Sequence, residues 1–262
     1  MRRLGALAML VALAGAVTLA GSQAPATPDT RRSGFDDMSA PVQAMQRDDT
    51  QNPGMLWVAD GEVAWQRDMG PGNRSACVSC HGDAAQSMRG VAARYPAWDE
   101  RLARPINLQQ RINQCRERYQ IIMPLPVESR DLLNLESYVA HQSRGLPLAP
   151  PVDPRLTPWR ERGEALFSQR IGQLNLSCAQ CHDELAGRRL AGSVIPQGHI
   201  NGYPIYRLEW QGVGSLQRRL RNCTTGVRAE AYGFGSTEAV QLELHLAQRS
   251  RGMPLETPGV RP

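Results

Sequence analysis

Cys178-Ala179-Gln180-Cys181-His182 decides how this chain is read. Two thiols at this spacing can add across the vinyl groups of a haem, and the following histidine offers its imidazole as the proximal iron ligand. A lone C-x-x-C also serves zinc and redox sites. Repetition separates these readings, because Cys77-Val78-Ser79-Cys80-His81 carries the same pattern. Four of the six cysteines and two of the five histidines then belong to haem motifs, and the chain reads as a dihaem cytochrome.

Working outward, the flanks repeat as well. Gly61-Glu62 precedes the first motif as Gly163-Glu164 precedes the second. Downstream, Leu108-Gln109-Gln110-Arg111-Ile112-Asn113-Gln114-Cys115 corresponds to Leu216-Gln217-Arg218-Arg219-Leu220-Arg221-Asn222-Cys223. The halves close alike, with Ser143-Arg144-Gly145-Leu146-Pro147-Leu148 and Ser250-Arg251-Gly252-Met253-Pro254-Leu255. Offsets of 101 residues at the haem motifs, 108 at the lone cysteines and 107 at the closing segments describe a tandem duplication.

Leu132, Leu133, Leu135, Tyr138 and Val139, and Val240, Leu242, Leu244 and Leu246, fall at helical spacing. They predict helices over 130–144 and 236–251, the second capped by Ser236 and stopped by Gly252. The expected fold is mainly α: two tandemly duplicated cytochrome c-like domains, each with one covalent haem. In each, an early helix enters the haem motif and a late one packs against it. The boundaries read as a signal peptide at 1–26, a loose N-terminal lead-in outside the core at 27–50, a haem 1 domain at 51–150 and a haem 2 domain at 151–262. A proline-rich linker over 147–158 denies a continuous helix, and 187–210 reads as loop with a short strand.

Met1-Arg2-Arg3, the apolar run from Leu4 to Ala20 and the small residues through Ala26 make a secretory signal. Its removal takes two arginines and no acid from a formal charge of +5, leaving about +3. That is too little to argue for nucleic acid, and nothing later is long enough for a membrane span. The expected location is the periplasm. All thirty basic residues are arginine, for which genome base composition is the simpler account and an anion-tuned surface the other.

A six-coordinate haem needs a second axial ligand. The ligand-type residues found at equivalent places after both motifs are Cys115, 34 residues after His81, and Cys223, 41 after His182. Met88, Met123, His199, His245 and Met253 are further candidates, but most lack a suitable counterpart in the other half. A Cys115–Cys223 disulfide is the alternative in an oxidising compartment, but it requires the two positions to be adjacent, whereas ligation requires only that each face its own haem. Ligation is favoured. Arg111 and Arg219 stand four residues before the two cysteines, on the same helical face, where they can lower a thiol pKa and hold an anion.

The chain resembles the SoxA family, the dihaem subunit of the SoxAX cytochrome of bacterial sulfur oxidation. The resemblance rests on both haem motifs, on Gln110 to Cys115, on Gln197-Gly198-His199 and Gly202-Tyr203-Pro204, on Tyr206-Arg207-Leu208-Glu209-Trp210-Gln211, on Arg219 to Cys223 and on Val227-Arg228-Ala229-Glu230. It implies two covalently bound haem c groups, attached at Cys77 and Cys80 and at Cys178 and Cys181. His81 and Cys115 would be axial ligands of haem 1, and His182 and Cys223 of haem 2. Cys223 would also be the catalytic cysteine, persulfidated in the family, with Arg219 binding substrate in an active site within the second domain. The implied activity is L-cysteine S-thiosulfotransferase: thiosulfate is joined oxidatively to a cysteine of the SoxYZ carrier, and two electrons pass to haem. The implied partners are a SoxX-type monohaem cytochrome c in a heterodimer, the carrier, and a downstream cytochrome c acceptor. A plain electron-transfer dihaem protein and a tetrathionate-forming thiosulfate dehydrogenase are the competing readings.

Overall fold

The computed structural model describes residues 29–68, 70 and 75–262, so the signal-peptide expectation lies outside the described residues. In the first repeat, helix α1 (Ala40–Arg47) is followed by α2 (Met55–Gln66), the haem-motif turn α3 (Cys77–His81) and a short α4 (Ala84–Ser87). A hairpin of β1 (Ala97–Asp99) and β2 (Arg104–Ile106) then leads into α5 (Leu108–Arg118), which carries Cys115, and α6 (Arg130–His141) closes the repeat. The second repeat runs through α7 (Thr157–Ser168), a π-helical turn at Gln180–Glu184, and a small hairpin of β3 (Arg189–Leu190) and β4 (Ser193–Val194). It continues with β5 (Ile205–Arg207), β6 (Gly212–Gly214), α8 (Leu216–Gly226) bearing Cys223, α9 (Thr237–Arg249) and β7 (Gly259–Arg261). Two helices end two or three residues before their expected limits, and no helix among the described residues is long and apolar enough to cross a membrane.

The caps follow from the sequence. Ser129 Oγ accepts the Leu132 amide at 3.3 Å and Ser236 Oγ accepts that of Ala239 at 3.2 Å. Asn107 and Gln110 form a reciprocal capping box on α5, and Ser215 caps α8. Each such cap contributes about 1 kcal/mol.

The early and late helices of each repeat cross at glycine. A Cβ on Gly61 would lie 2.1 Å from the Asn134 carbonyl oxygen, and one on Gly163 would lie 2.0 Å from that of Gln241. Only glycine lets α2 reach α6, and α7 reach α9, so closely. Apolar side chains from each crossing extend to the adjoining haem motif: Val58, Trp65, Tyr138 and Val139 with Cys77, and Phe167, Leu242 and Leu246 with Cys178.

The repeats are joined into one compact unit, Arg31–Pro262, and the closing segments do part of the joining. Pro147 bridges its own counterpart, Pro254, in antiparallel fashion. Gly145 N donates to Leu255 O at 2.8 Å, and Leu148 N donates to Met253 O at 2.9 Å. A segment paired antiparallel with its own copy marks a local two-fold relation between the repeats. The proline-rich stretch is therefore anchored rather than slack, with Leu148 and Leu156 both buried.

The N-terminal lead-in differs from expectation. Met38, Val42 and Met45 recur at helical spacing among the polar residues, and Val42 packs with Trp57, Leu133, Tyr206, Val213 and Val260. This cluster includes the strands ordered β6-β5-β7, in which β5 pairs antiparallel with β6 and parallel with β7. The short apolar stripe of α1 is diluted by charge, so its core role emerges only when the terminal strand is beside it.

Two glutamates flank the local two-fold. Glu136 on α6 accepts from Gln109 Nε2 at 2.7 Å, and its equivalent Glu243 on α9 accepts from Asn107 Nδ2 at 3.4 Å. Both line a cavity with Tyr95, Tyr203, Ile200 and Leu255. Burial pushes each carboxyl up to about 8 against hydrogen bonds from Gln109 to Glu136 and from Asn107 to Glu243 that favour ionisation; the charge of Glu136 adds to the rise at Glu243. The native state therefore holds protons that the unfolded chain releases above about 4.5. Their contribution to stability falls as pH rises from about 4.5 to about 8, and is flat beyond. Urea midpoints of the wild type and Glu243→Gln, compared at pH 5 and pH 8.5, are expected to diverge at the higher pH. The variant should be the more stable there by a few kcal/mol, on the order set by the shift.

Candidate haem and anion site

Each haem motif is built by its local structure. Ser177 Oγ accepts the Gln180 amide at 3.2 Å and Gln180 Oε1 accepts the Ser177 amide at 3.0 Å, so a capping box starts the turn bearing Cys178, Cys181 and His182. His182 Nδ1 lies 2.7 Å from the Pro196 carbonyl oxygen. A carbonyl can only accept, so Nδ1 carries a proton and Nε2 is the ring nitrogen left to meet Cys223 or a metal. Cys223 of α8 is joined to the His182 side chain by a hydrogen bond, and its charge is felt at both Cys178 and Cys181. Cys223 thus lies near both thiols of the motif and its oriented imidazole, residues whose chemistry fits a covalent haem.

The first repeat assembles less of this set. Cys115 is electrostatically coupled to Cys77 and Cys80, and Gln120 Nε2 sits 3.8 Å from Cys77 Sγ. His81 is exposed, its ring centroid 5.6 Å from that of Trp65. The thiols fit the same group; among the described residues no hydrogen bond joins His81 to Cys115. All six cysteines are unbridged, and Cys115 and Cys223 each associate with their own motif, so the disulfide alternative finds no support. Among the described residues no cluster of three His, Cys, Asp or Glu side chains is arranged for a protein-only metal site.

The two lone cysteines differ electrostatically. Burial pushes Cys115 up, and Arg111 and Arg118 offset only part of it. At Cys223 burial acts the same way, but the His182 hydrogen bond and the charges of Arg219 and Arg207 outweigh it and hold the thiol below its ordinary value. Of the neighbouring arginines, Arg218 stacks 4.3 Å from the Trp210 ring and Arg221 lies 4.7 Å from that of Phe234 while donating to the Tyr232 carbonyl. Arg219 remains facing Cys223, and among the described residues its guanidinium has no hydrogen bond or ion pair. Tyr203 and Arg207 also reach this site. Both belong to the motifs over 202–204 and 206–211, and the signal of their role is a 108-residue offset from Tyr95 and Asp99.

Two C-x-x-C-H motifs, each set in a repeat of crossed helices and each approached by a cysteine-bearing helix, define a c-type cytochrome of duplicated build. The family model described as the SoxA/TsdA cytochrome c domain matches twice, over residues 60–148 and 162–255. The chain belongs to the SoxA/TsdA cytochrome c family. It is 38% identical over 234 residues to the L-cysteine S-thiosulfotransferase subunit SoxA of Pseudaminobacter salicylatoxidans, covering 89% of this chain and 82% of that one. The SoxA subunit of Paracoccus pantotrophus is 34% identical over 235 residues, covering 90% and 80%. The crystal structure of SoxXA from P. pantotrophus superposes with a TM-score of 0.85 at 33% identity, covering 88% of this chain and 87% of that chain.

Proposed function

We propose that this chain is the catalytic subunit of an L-cysteine S-thiosulfotransferase, which joins thiosulfate to a cysteine thiol of a SoxYZ-type carrier. The observation that carries the reading is the cluster of Cys223, His182 and an uncommitted Arg219 one helical turn from the thiol. The relatives' activity supports it, and so does the contrast with the first repeat.

The overall change is carrier–SH plus S2O3(2−) giving carrier–S–S–SO3(−), a proton and two electrons. Arg219 holds the dianion by charge-assisted contacts. The Cys223 sulfur bonds to the terminal sulfur of thiosulfate as two electrons leave, and the carrier thiolate then takes the S–SO3 group and releases Cys223. The haems, when bound, supply iron centres that accept those electrons.

On this reading the chain carries two haems, ligated by His81 and Cys115 and by His182 and Cys223. The division at 51–150 and 151–262 gives one haem to each repeat. The partners are a SoxX-type cytochrome, the carrier and a downstream cytochrome c acceptor, all in the periplasm. Intact mass of the exported protein is expected to show two haem additions on a chain cleaved between about residues 21 and 27; one addition would remove the dihaem assignment.

The deciding assay supplies thiosulfate with and without a carrier thiol and follows haem reduction and products. Carrier-dependent turnover supports the proposal, tetrathionate without carrier supports a dehydrogenase, and neither leaves electron transfer alone. Arg219→Ala should reduce kcat/KM for thiosulfate by about 2–3 kcal/mol, and Arg219→Lys should recover part of it, lacking the planar fork. Arg111→Ala should spare turnover, although it strips buried Asp99 of its 3.0 Å partner and lowers stability. Equal damage from Arg111→Ala and Arg219→Ala would move the chemistry away from Cys223.

A further inference from the structure

Superposing the repeats by their 108-residue offset pairs Tyr95 with Tyr203, Arg111 with Arg219 and Cys115 with Cys223. The same offset pairs Asp99 with Arg207 and Arg101 with Glu209, so the charges at both positions are reversed. The register agrees: Asp99 faces Arg104 across the first hairpin as Arg207 faces Gly212 across the second.

In the first repeat the inner position is acidic. Asp99 is 2% exposed and takes Arg111 Nη2 at 3.0 Å, while its Oδ1 accepts the amides of Arg101 and Leu102 at 3.1 and 2.9 Å. Arg111 is further bound to Tyr95 Oη at 3.2 Å and Gln114 Oε1 at 2.9 Å. Its charge is neutralised and each of its three nitrogens has a partner.

In the second repeat the inner position is basic. Arg207, 13% exposed, is near enough to Arg219 for the two charges to repel, and its charge reaches Cys223. Among the described residues its one ion pair is to Glu209 at 2.8 Å; that carboxylate is 49% exposed, and the Arg207 guanidinium also lies 5.2 Å from the Trp210 ring centroid. Charge inside a low-dielectric site acts more strongly than charge at its rim, so the reversal makes this interior positive even though both repeats carry the same residue signs overall. Two half-buried guanidiniums without an interior counter-ion are costly on their own and suited to an anion between them.

We propose that Arg207 is a second substrate-binding residue, which with Arg219 forms a two-guanidinium clamp for thiosulfate and selects dianions over monoanions. The proposal rests on the reading of Cys223 as the reacting thiol. It is tested on the full haem-loaded protein with two probes: calorimetric titration with sulfate, an unreactive dianion, and steady-state turnover with thiosulfate. Arg207→Gln is expected to weaken sulfate binding and raise the thiosulfate KM by roughly 10- to 100-fold, with a smaller effect on kcat. Arg207→Lys should restore part of both.

Glu209→Gln acts in the opposite direction, freeing Arg207 from its rim partner, and should tighten sulfate binding about threefold, as expected for loss of a surface ion pair. A merely structural Arg207 would not give this inverse response. Unchanged sulfate affinity in both Arg207→Gln and Glu209→Gln overturns the clamp. Sulfate binding that depends on Arg207 in a protein that never uses thiosulfate upholds the clamp and defeats the reaction assigned to Cys223.

Discussion

Cys223→Ala is expected to abolish transfer of thiosulfate to a carrier thiol while both haems stay attached. The sulfur of Cys223 is the one that His182 meets, that Arg219 and Arg207 charge-stabilise, and that the scheme uses to receive the S–SO3 group. Removing it deletes the bond-forming atom, so the loss should be at least about a thousandfold, or ~4 kcal/mol. Cys223→Ser should fare no better, because an alkoxide is a poorer sulfur acceptor and a poorer match for iron. Attachment depends on Cys178 and Cys181, which remain, so intact mass should be that of a dihaem chain. Cys115→Ala is the matched control and should retain most turnover. A Cys223→Ala protein with more than a tenth of wild-type turnover would place the reaction elsewhere.

Gly163→Ala is expected to damage the fold rather than the chemistry. The added methyl would lie 2.0 Å from the Gln241 carbonyl oxygen and 2.9 Å from His245 Cβ, and the first of these is backbone that cannot swing aside. The helices α7 and α9 must separate by more than 1 Å to reach ordinary contact, and their shared core with Phe167 and Leu246 opens with them. Overpacking of this kind costs about 3 kcal/mol. For a folded unit of this size that is roughly 6–12 °C in thermal midpoint. Gly61→Ala should behave alike in the first repeat. Thermal unfolding of the haem-loaded variants reads both, and midpoints within 1 °C of wild type would refute the close crossing.

The haem motifs were legible because covalent attachment requires fixed residue types at fixed spacing, whatever surrounds them. The second copy then supplied an internal alignment, which led to Cys115 and Cys223 and to the paired late helices with their serine caps. Elements whose role depends on a remote partner were less visible. The residues Met38, Val42 and Met45 look like an isolated weak stripe until Val260 arrives from the far end of the sequence. The burial of Glu136 and Glu243 carries no local signal, since nothing in either helix says that the two repeats will close over them. Arg207 lay within a motif already quoted, yet its meaning comes from comparison with Asp99 and from which of two adjacent charges faces inward.

The antiparallel pairing of Pro147 with Pro254 has an evolutionary corollary. Two copies of one segment meeting about a two-fold is the geometry of a homodimer interface, here enclosed within one polypeptide. A homodimer must carry the same residue at both of its sites, so an aspartate exchanged for arginine would appear twice and leave neither site neutral. Fusion of the copies lifts that constraint. One descendant could keep its acid at position 99 while the other acquired a base at position 207, and division of labour between the two repeats became available to single substitutions.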